Sequence, residues 1–194
     1  LRGRERSRGI DEILLEIART DSPEVVLNGI NISSYSCDGK NICDLITALH
    51  GVKKRVRLGS LECGVITEDF LKALKGLYDF AEQFHLSLQS GSDAVLKSMN
   101  RHYTSREYLD KCALIYKYFP SAAITTDVIA GFATESDENF EASLSVIEKA
   151  GFARVHAFAF SPREGTVAYR LKDISPEVKS ARLHRLLIAA EKTS

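Results

Sequence analysis

The sequence predicts an α/β protein, specifically a partial (β/α) barrel with parallel strands and its helices outside. Short β-rich runs alternate with helical patterns along the 194 residues, and each return between parallel strands requires a helix. Neither G-x-G-x-x-G nor G-x-x-x-x-G-K follows the first strand, which favours a barrel over a doubly wound sheet. The length fits one domain, and 44% hydrophobic residues are enough for a buried core.

The helices are predicted from apolar residues at helical spacing and from capping residues. Asp11 can cap the first helix, Thr67 the third, and Thr104 with Glu107 forms a capping-box pattern. Pro176 suits the first position of the last helix, which follows Ser175. The predicted helices cover residues 11–20, 41–50, 67–76, 93–98, 104–118, 135–149 and a final segment from 175.

Five β-rich runs lie between these helices, at residues 24–29, 55–60, 85–88, 123–129 and 154–160. The pattern begins on a helix, and the first residue is Leu1 rather than Met, so we expect a fragment or a processed product that lacks its first strand. Loss of that strand would expose the apolar edge at 24–29. Such an edge invites pairing with a second chain unless residues 1–10 cover it.

The composition argues against several classes of protein. Twenty-six Lys and Arg balance twenty-six Asp and Glu, which disfavours a uniformly basic nucleic-acid-binding protein but leaves room for a local basic patch. We expect no membrane span and no secretory signal, since every apolar run is far shorter than ~20 residues. The cysteines are few, scattered and without C-x-x-C spacing, which predicts reduced thiols and a cytoplasmic location: Cys37, Cys43, Cys63 and Cys112.

Polar residues and glycines follow every predicted strand, at the ends where parallel α/β folds carry their chemistry. They are Asn28-Gly29, Gly59-Ser60 with Glu62, Gln89-Ser90-Gly91, Asp127 with Gly131, and Phe160-Ser161. Asp127 lies in an apolar run, so it needs either a partner or a function. The glycines can equally serve only to end strands. We expect His85 and His156, inside strands, to be packed or hydrogen-bonded, and no G-x-S-x-G nucleophile is present.

The segment His85–Thr104, HLSLQSGSDAVLKSMNRHYT, closely resembles the signature of the radical S-adenosylmethionine (SAM) methylthiotransferases. Four further pieces agree in the same order along the chain: LNGINISSY at 27–35, RLGSLE at 57–62, TDVIAGF at 126–132 and SPREGTVA at 161–168. The resemblance covers essentially the whole chain, and it implies a partial barrel of the radical SAM type.

The resemblance implies an enzyme that adds a methylthio group to carbon 2 of an adenosine beside the tRNA anticodon. Residues 28–32, 85–91 and 99–101 are most similar to the branch acting on threonylcarbamoyladenosine. The branch acting on isopentenyladenosine is next. The branch modifying a ribosomal-protein aspartate, which usually has His in place of Ser90, is least similar. A non-catalytic barrel that has lost its cluster is a further alternative. The implied partners are tRNA and an electron donor such as flavodoxin.

The resemblance also assigns residues to SAM. Glu62 would accept from its amino group, Arg101 would pair with its carboxylate, and Gln89 with Asp127 would bond the ribose hydroxyls. The remaining cofactor-binding candidates are Gly29 near the methionine part, Gly131 and Phe160 flanking adenine, and Ser90. The candidates for tRNA contact are Arg163 and the basic start of the chain, Arg2, Arg4 and Arg6, which can alternatively be a charged terminus.

The sequence departs from the family at its metal site. The family uses two [4Fe–4S] clusters, but C-x-x-x-C-x-x-C occurs nowhere here, so no metal ligand and no catalytic residue is assigned. Ala133-Thr134 stand where the family has Pro-Gly. We expect residues 1–194 to form a core fragment without the first strand, the cluster loop, the N-terminal cluster domain and the C-terminal RNA-binding domain. Alone, it should bind no cluster, bind SAM poorly and be inactive.

Overall fold

The computed structural model describes residues 5–193, in which helices alternate with short strands. The helices are α1 Ile10–Arg19, α2 Ile42–Ala48, α3 Glu68–Lys75, α4 Asp93–Ser98, α5 Ser105–Tyr118, α6 Asp137–Ala150 and α7 Pro176–Glu191. The strands are β1 Glu24–Leu27, β2 Ser36–Cys37, β3 Lys40–Asn41, β4 Arg55–Leu58, β5 Asp79–Phe80, β6 Gln83–His85, β7 Ala123–Ala130 and β8 Arg154–Ala159. No helix of the described part is long and apolar enough to cross a membrane.

The chain divides into two compact units. The first covers the chain up to Phe84 together with Leu114–Ala122, and the second covers His85–Ala113 together with the chain from Ala123 onward.

The first unit contains a parallel sheet in the order β1-β4-β5. Its register joins Val25 to Val56 and Leu27 to Leu58, so the two strands end side by side. Glu24 on β1 accepts from Arg57 on β4 at 2.9 Å, an ion pair that spans the two strands. The core beneath this sheet consists of fully buried side chains of α2, α3 and the loops: Ile46, Leu49, Ile66, Phe70, Leu71 and Leu74. As predicted, parallel strands carry helices packed on them.

β1 lies at the edge of this sheet among the described residues, and Val26 on it is 54% exposed. Residues 5–8 lie against the loop after β1, where Ser36 N donates to Ser7 Oγ at 3.0 Å and Tyr35 Oη donates to Arg8 O at 2.7 Å. β1 is thus an edge strand among the described residues, and residues 5–8 pack beside the loop that follows it. Association of two chains through this edge stays a prediction.

In the second unit, β7 lies between β8 and the segment His85–Gln89. Six residue pairs join β7 to β8 in parallel, from Thr125 with Arg154 to Ala130 with Ala159. On the other edge of β7, Leu86 N donates to Thr125 O at 2.9 Å. Side chains alternate along β7, so Thr126 and Val128 are buried on one face while Asp127 is half-buried on the other.

The structure differs from the sequence prediction in local detail. The predicted helix 41–50 ends as a 3-10 turn at Leu49–Gly51, and the strand predicted at 85–88 begins earlier, at Gln83. The sequence analysis missed the hairpin β2–β3, which turns at Asp38 (φ 50°) and Gly39 (φ 74°). An Asp-Gly pair is typical of such turns, but two-residue strands leave no alternation to detect.

Candidate functional site

In the first unit, the loops after β1 and β4 lie together at the carboxyl ends of these strands. Gly59 N donates to Leu27 O at 2.8 Å, and Glu62 N donates to the Ser33 hydroxyl at 2.8 Å. The second bond ties the segment that carries Glu62 to the loop that carries Gly29. Both Gly29 and Glu62 are exposed at this end of the sheet. Two predicted cofactor contacts thus share one face of the unit, and the Glu62 carboxylate suits an ammonium group.

A groove of about 1070 Å³ runs along β1 in the same unit. It is lined by residues 5–8, by α1 and by β1 with its following loop. The exposed Arg6, a predicted tRNA contact, and Gly29 both line it. Arg2 and Arg4, the other two predicted contacts at the start of the chain, lie outside the described residues.

In the second unit, Gln89 lies in the segment after β6 and is a neighbour of Asp127 on β7. Gln89 N donates to Asp127 O at 2.8 Å, and Gln89 O accepts from Ile129 N at 2.9 Å. Gln89 has a φ of 66°, in the left-handed region that favours glycine. A strained non-glycine residue at a strand end is frequent at binding sites, because the surrounding bonds must hold it there.

Asp127 lies in an apolar run, and His85 is the polar partner beside its carboxylate. His85 Nε2 lies 3.3 Å from Asp127 Oδ2, and His85 Nδ1 lies 2.9 Å from the Thr125 hydroxyl. His156 is the β8 residue in register with Asp127, and its ring centroid is 5.9 Å from that of His85. The expectation that both histidines are packed or hydrogen-bonded is confirmed for His85, and His156 packs against it. His85 is therefore placed to orient the Asp127 carboxylate.

The Ser90-Gly91-Ser92 part of the signature packs against α6. Ser90 is fully buried, with its Oγ 3.3 Å from the Ser143 Oγ, and Gly91 N donates to the same Ser143 oxygen at 2.9 Å. Ser92 donates to Asn139 Oδ1 at 2.7 Å and caps α4. This geometry favours a packing role for Ser90 over the cofactor contact that the sequence analysis assigned to it.

Gly131 and Phe160 meet at the carboxyl ends of β7 and β8. Phe160 N donates to Ala130 O at 2.8 Å, and the rings of Phe132 and Phe160 form an edge-to-face pair with centroids 4.8 Å apart. Gly131 has a φ of 73°, and its N–H donates to Glu135 Oε2 at 2.8 Å. These two predicted residues are therefore brought together, with the Phe160 ring beside a buried glycine.

The remaining predicted residues lie on loops of the second unit. Arg101 is half-buried after α4, and its N–H donates to Leu96 O at 2.9 Å. Arg163 is exposed in the segment that follows β8, where its carbonyl accepts from the Thr166 hydroxyl at 2.6 Å.

Sequence analysis missed three buried charged residues behind these strand ends: Glu135, Lys179 and Arg182. Arg182 Nη1 donates to Glu135 Oε2 at 2.8 Å, and its Nη2 donates to Asp137 Oδ1 at 2.7 Å. Burial raises the pKa of Glu135, while the N–H of Gly131 and the guanidinium of Arg182 act to lower it. The available signal was weak, since only the helical spacing of Lys179, Arg182, Leu186 and Ala190 marks the buried face of α7.

The cysteines do not fit an iron–sulfur cluster. Cluster ligands are thiolates, but Cys63 and Cys112 are buried, and burial raises the pKa of Cys37 and Cys43 with help from nearby carboxylates. Among residues 5–193, no three His, Cys, Asp or Glu side chains are grouped to hold a metal ion.

The strand ends do fit parts of SAM, each unit by itself. In the second unit, the oriented carboxylate of Asp127, the amide of Gln89 and the edge formed by Gly131 and Phe160 suit a nucleoside with its ribose hydroxyls. In the first unit, Glu62 suits an amino group.

Residues 2–147 match the family described as the Radical SAM superfamily. The chain belongs to the radical SAM superfamily. This confirms the resemblance found in the sequence.

Two curated relatives identify the kind of radical SAM protein that the chain is similar to. The tRNA-2-methylthio-N(6)-dimethylallyladenosine synthase of Acetivibrio thermocellus is 37% identical over 96% of this chain and 41% of that protein. The threonylcarbamoyladenosine tRNA methylthiotransferase MtaB of Chlamydia pneumoniae is 40% identical over 91% of this chain and 43% of that protein. The chain thus spans less than half the length of these relatives.

Solved structures confirm the predicted fold class. HemN from Escherichia coli, a radical SAM coproporphyrinogen III oxidase, has a TM-score of 0.63 at 17% identity, covering 78% of this chain and 36% of that one. SuiB from Streptococcus suis has a TM-score of 0.59 at 14% identity, covering 97% of this chain and 40% of that one. These likenesses support the α/β fold class of parallel strands that alternate with helices.

Proposed function

We propose that the chain is a core part of a tRNA methylthiotransferase, an enzyme that adds a methylthio group to carbon 2 of a modified adenosine beside the anticodon. The observation that carries this proposal is 37–40% identity, along more than nine-tenths of the chain, to enzymes named for that activity. The polar strand ends of both units support it, because they supply the groups that SAM needs.

SAM, when bound with its cluster, supplies a carbon-centred radical. The residues of this chain bind and orient it. Asp127, which lies beside His85, would accept from ribose hydroxyls, and Gln89 would offer its amide to the same sugar. Gly131 and Phe160 would flank the adenine of SAM, and Arg101 would pair with its carboxylate. Glu62 accepts from the amino group, with Gly29 giving the backbone room to approach. The cluster ligands would come from parts of the parent protein outside the described residues.

For the substrate we propose threonylcarbamoyladenosine in tRNA, because the HLSLQSGSD segment is most similar to that branch. The second candidate is dimethylallyladenosine, which is the isopentenyladenosine of the sequence analysis. Enzymes named for this substrate are more frequent among the relatives. The exposed Arg163 and Arg6 would contact phosphates, which predicts binding that weakens with salt. A flavodoxin-type protein would donate electrons, and the enzyme would work in the cytoplasm.

The test is nucleoside mass spectrometry of tRNA from a bacterial strain that lacks its own methylthiotransferases and expresses the full-length parent gene. We expect the 2-methylthio form of threonylcarbamoyladenosine. The 2-methylthio form of dimethylallyladenosine alone would establish the second candidate. A product in neither nucleoside would contradict the tRNA function and would leave a ribosomal-protein substrate or a non-catalytic barrel.

The same assay tests the role of Asp127. Asp127→Asn keeps the shape but removes the charge that strengthens its hydrogen bonds, so product should fall by about tenfold or more. The matched control is Asp110→Asn, which removes an exposed carboxylate on α5 that pairs with the exposed Arg106, and its product should be unchanged. Equal product from the two variants would remove Asp127 from the site.

A further inference from the structure

Lys179 of α7 is a lysine whose burial the sequence pattern does not explain. Only 8% of the residue is exposed. Its ammonium donates to Asp173 Oδ2 at 2.6 Å and to the carbonyl of Phe160 at 3.1 Å. The same ammonium lies 5.2 Å from the centre of the Phe160 ring, a cation–π distance. A lysine buried to this extent is costly unless it is fully compensated, so its position calls for a reason.

The aliphatic part of Lys179 covers the end of the neighbouring strand. A Cβ built on Gly131 would lie 2.5 Å from Lys179 Cγ and 3.3 Å from its Cβ, so the lysine stem occupies the space above this glycine. Gly131 directly follows the end of β7, and Phe160 directly follows the end of β8. A single side chain therefore touches the carboxyl ends of both strands, with its stem on one and its charge on the other.

Packing of α7 alone does not require this charge. Leu186 and Ala190 on the same helix are buried apolar residues, and a Met at position 179 would fill the space of the stem. Unlike an apolar side chain, the ammonium makes directional contacts. It fixes the carbonyl and the ring of Phe160, and through Asp173 it ties the far end of the exposed segment 161–173 back to β8.

We propose that Lys179 is a positioning residue, which holds Gly131, Phe160 and the segment 161–173 in the arrangement that receives the nucleoside part of SAM. It does so without contacting that ligand. The proposal rests on the proposed function for the identity of the ligand. It adds a residue to the site that lies on the last helix, distant in sequence from the signature motifs.

The first test uses the full-length parent enzyme and measures 5′-deoxyadenosine formed from SAM. Lys179→Met should raise the KM for SAM about tenfold with kcat changed less than about twofold, and Lys179→Arg, which keeps the donor, should restore most of the affinity. The matched control is Lys149→Met, an exposed lysine on α6, which should leave both constants unchanged. Loss of kcat at constant KM, or an equal effect in Met and Arg variants, would overturn the proposal.

The second test uses the 194-residue chain and does not depend on activity. In Lys179→Met, amide NMR signals of residues 131–132 and 160–173 should shift, whereas signals of the first unit should stay in place. If those amides are unmoved, or if the variant only unfolds earlier with its native-state spectrum unchanged, the positioning role is wrong. If the parent enzyme modifies no tRNA while both tests give the expected results, the proposed function fails and the positioning role stands.

Discussion

Arg182→Met should destabilise the protein by about 3–5 kcal/mol at neutral pH, since it removes one partner from a buried ion pair. The side chains of Arg182 and Glu135 are 9% and 0% exposed. Without the guanidinium, Glu135 Oε2 keeps the hydrogen bond from the N–H of Gly131, and Oε1 is already buried without a hydrogen bond among the described residues. The methionine fills the space of the arginine stem, so the loss of unfolding free energy measures the contribution of the guanidinium charge.

The loss of unfolding free energy in Arg182→Met should become smaller as the pH is lowered. Burial already raises the pKa of Glu135 above its unfolded value of 4.5, and removal of Arg182 deletes an influence that lowers this pKa. A carboxyl group with a raised folded pKa favours folding below its unfolded pKa, and this contribution is lost as the pH rises through the folded pKa. The measurement is urea unfolding at about pH 5 and pH 7.5.

The control for this prediction lies one turn further along the same helix. Arg185 pairs with Glu141 at 2.7 Å, but the two side chains are 51% and 55% exposed. Arg185→Met should therefore cost about 0–1 kcal/mol at either pH. Equal losses in the two variants, or a loss in Arg182→Met that does not change with pH, would mean that the buried pair does not stabilise the loop after β7.

Gly91→Ala should be the second severe substitution, with a loss of about 3 kcal/mol from overpacking. A Cβ on Gly91 would lie 2.6 Å from both the carbonyl oxygen of Ala142 and the Cα of Ser143. These are backbone atoms of α6, so relief requires the helix to move. Such a movement would also break the bond from Gly91 N to Ser143 Oγ.

Gly51→Ala is the matched control, because nothing lies within 4 Å of a Cβ at that position. It should leave the free energy of unfolding unchanged or raise it by about 0.4–1 kcal/mol, through the lower entropy of the unfolded chain. Thermal unfolding of both variants makes the comparison. If Gly91→Ala is as stable as Gly51→Ala, then the close approach between the signature loop and α6 is not rigid.

Sequence periodicity predicted the elements that bury continuous apolar faces. β7 and β8 were predicted within one or two residues because their apolar runs are long, and their parallel pairing follows from the helix between them. The sequence does not predict the β2–β3 hairpin or β5, because strands of two residues show no alternation of apolar and polar side chains. What the sequence could not predict was tertiary pairing such as Arg182 with Glu135, which are 47 residues apart.

The same holds for the candidate site. Polar residues at strand ends pointed to Asp127 and Gln89, which the structure places side by side. The resemblance marked Ser90 as part of a signature, but it does not tell which way a side chain points. In the structure, Gln89 has a φ of 66° and Ser90 is turned toward α6, where its Oγ lies 3.3 Å from the Ser143 Oγ. A sequence motif does not carry this backbone conformation.

We propose that these strand ends are the SAM-binding core of a methylthiotransferase whose cluster ligands lie outside the described residues. Iron and sulfide content after anaerobic reconstitution, with absorption near 400 nm, tests it most directly. Two proteins are compared: this chain, and the parent chain extended upstream through a C-x-x-x-C-x-x-C loop. We expect about four irons per chain in the extended protein only. About four irons in the shorter chain, or none in the longer one, would contradict the account.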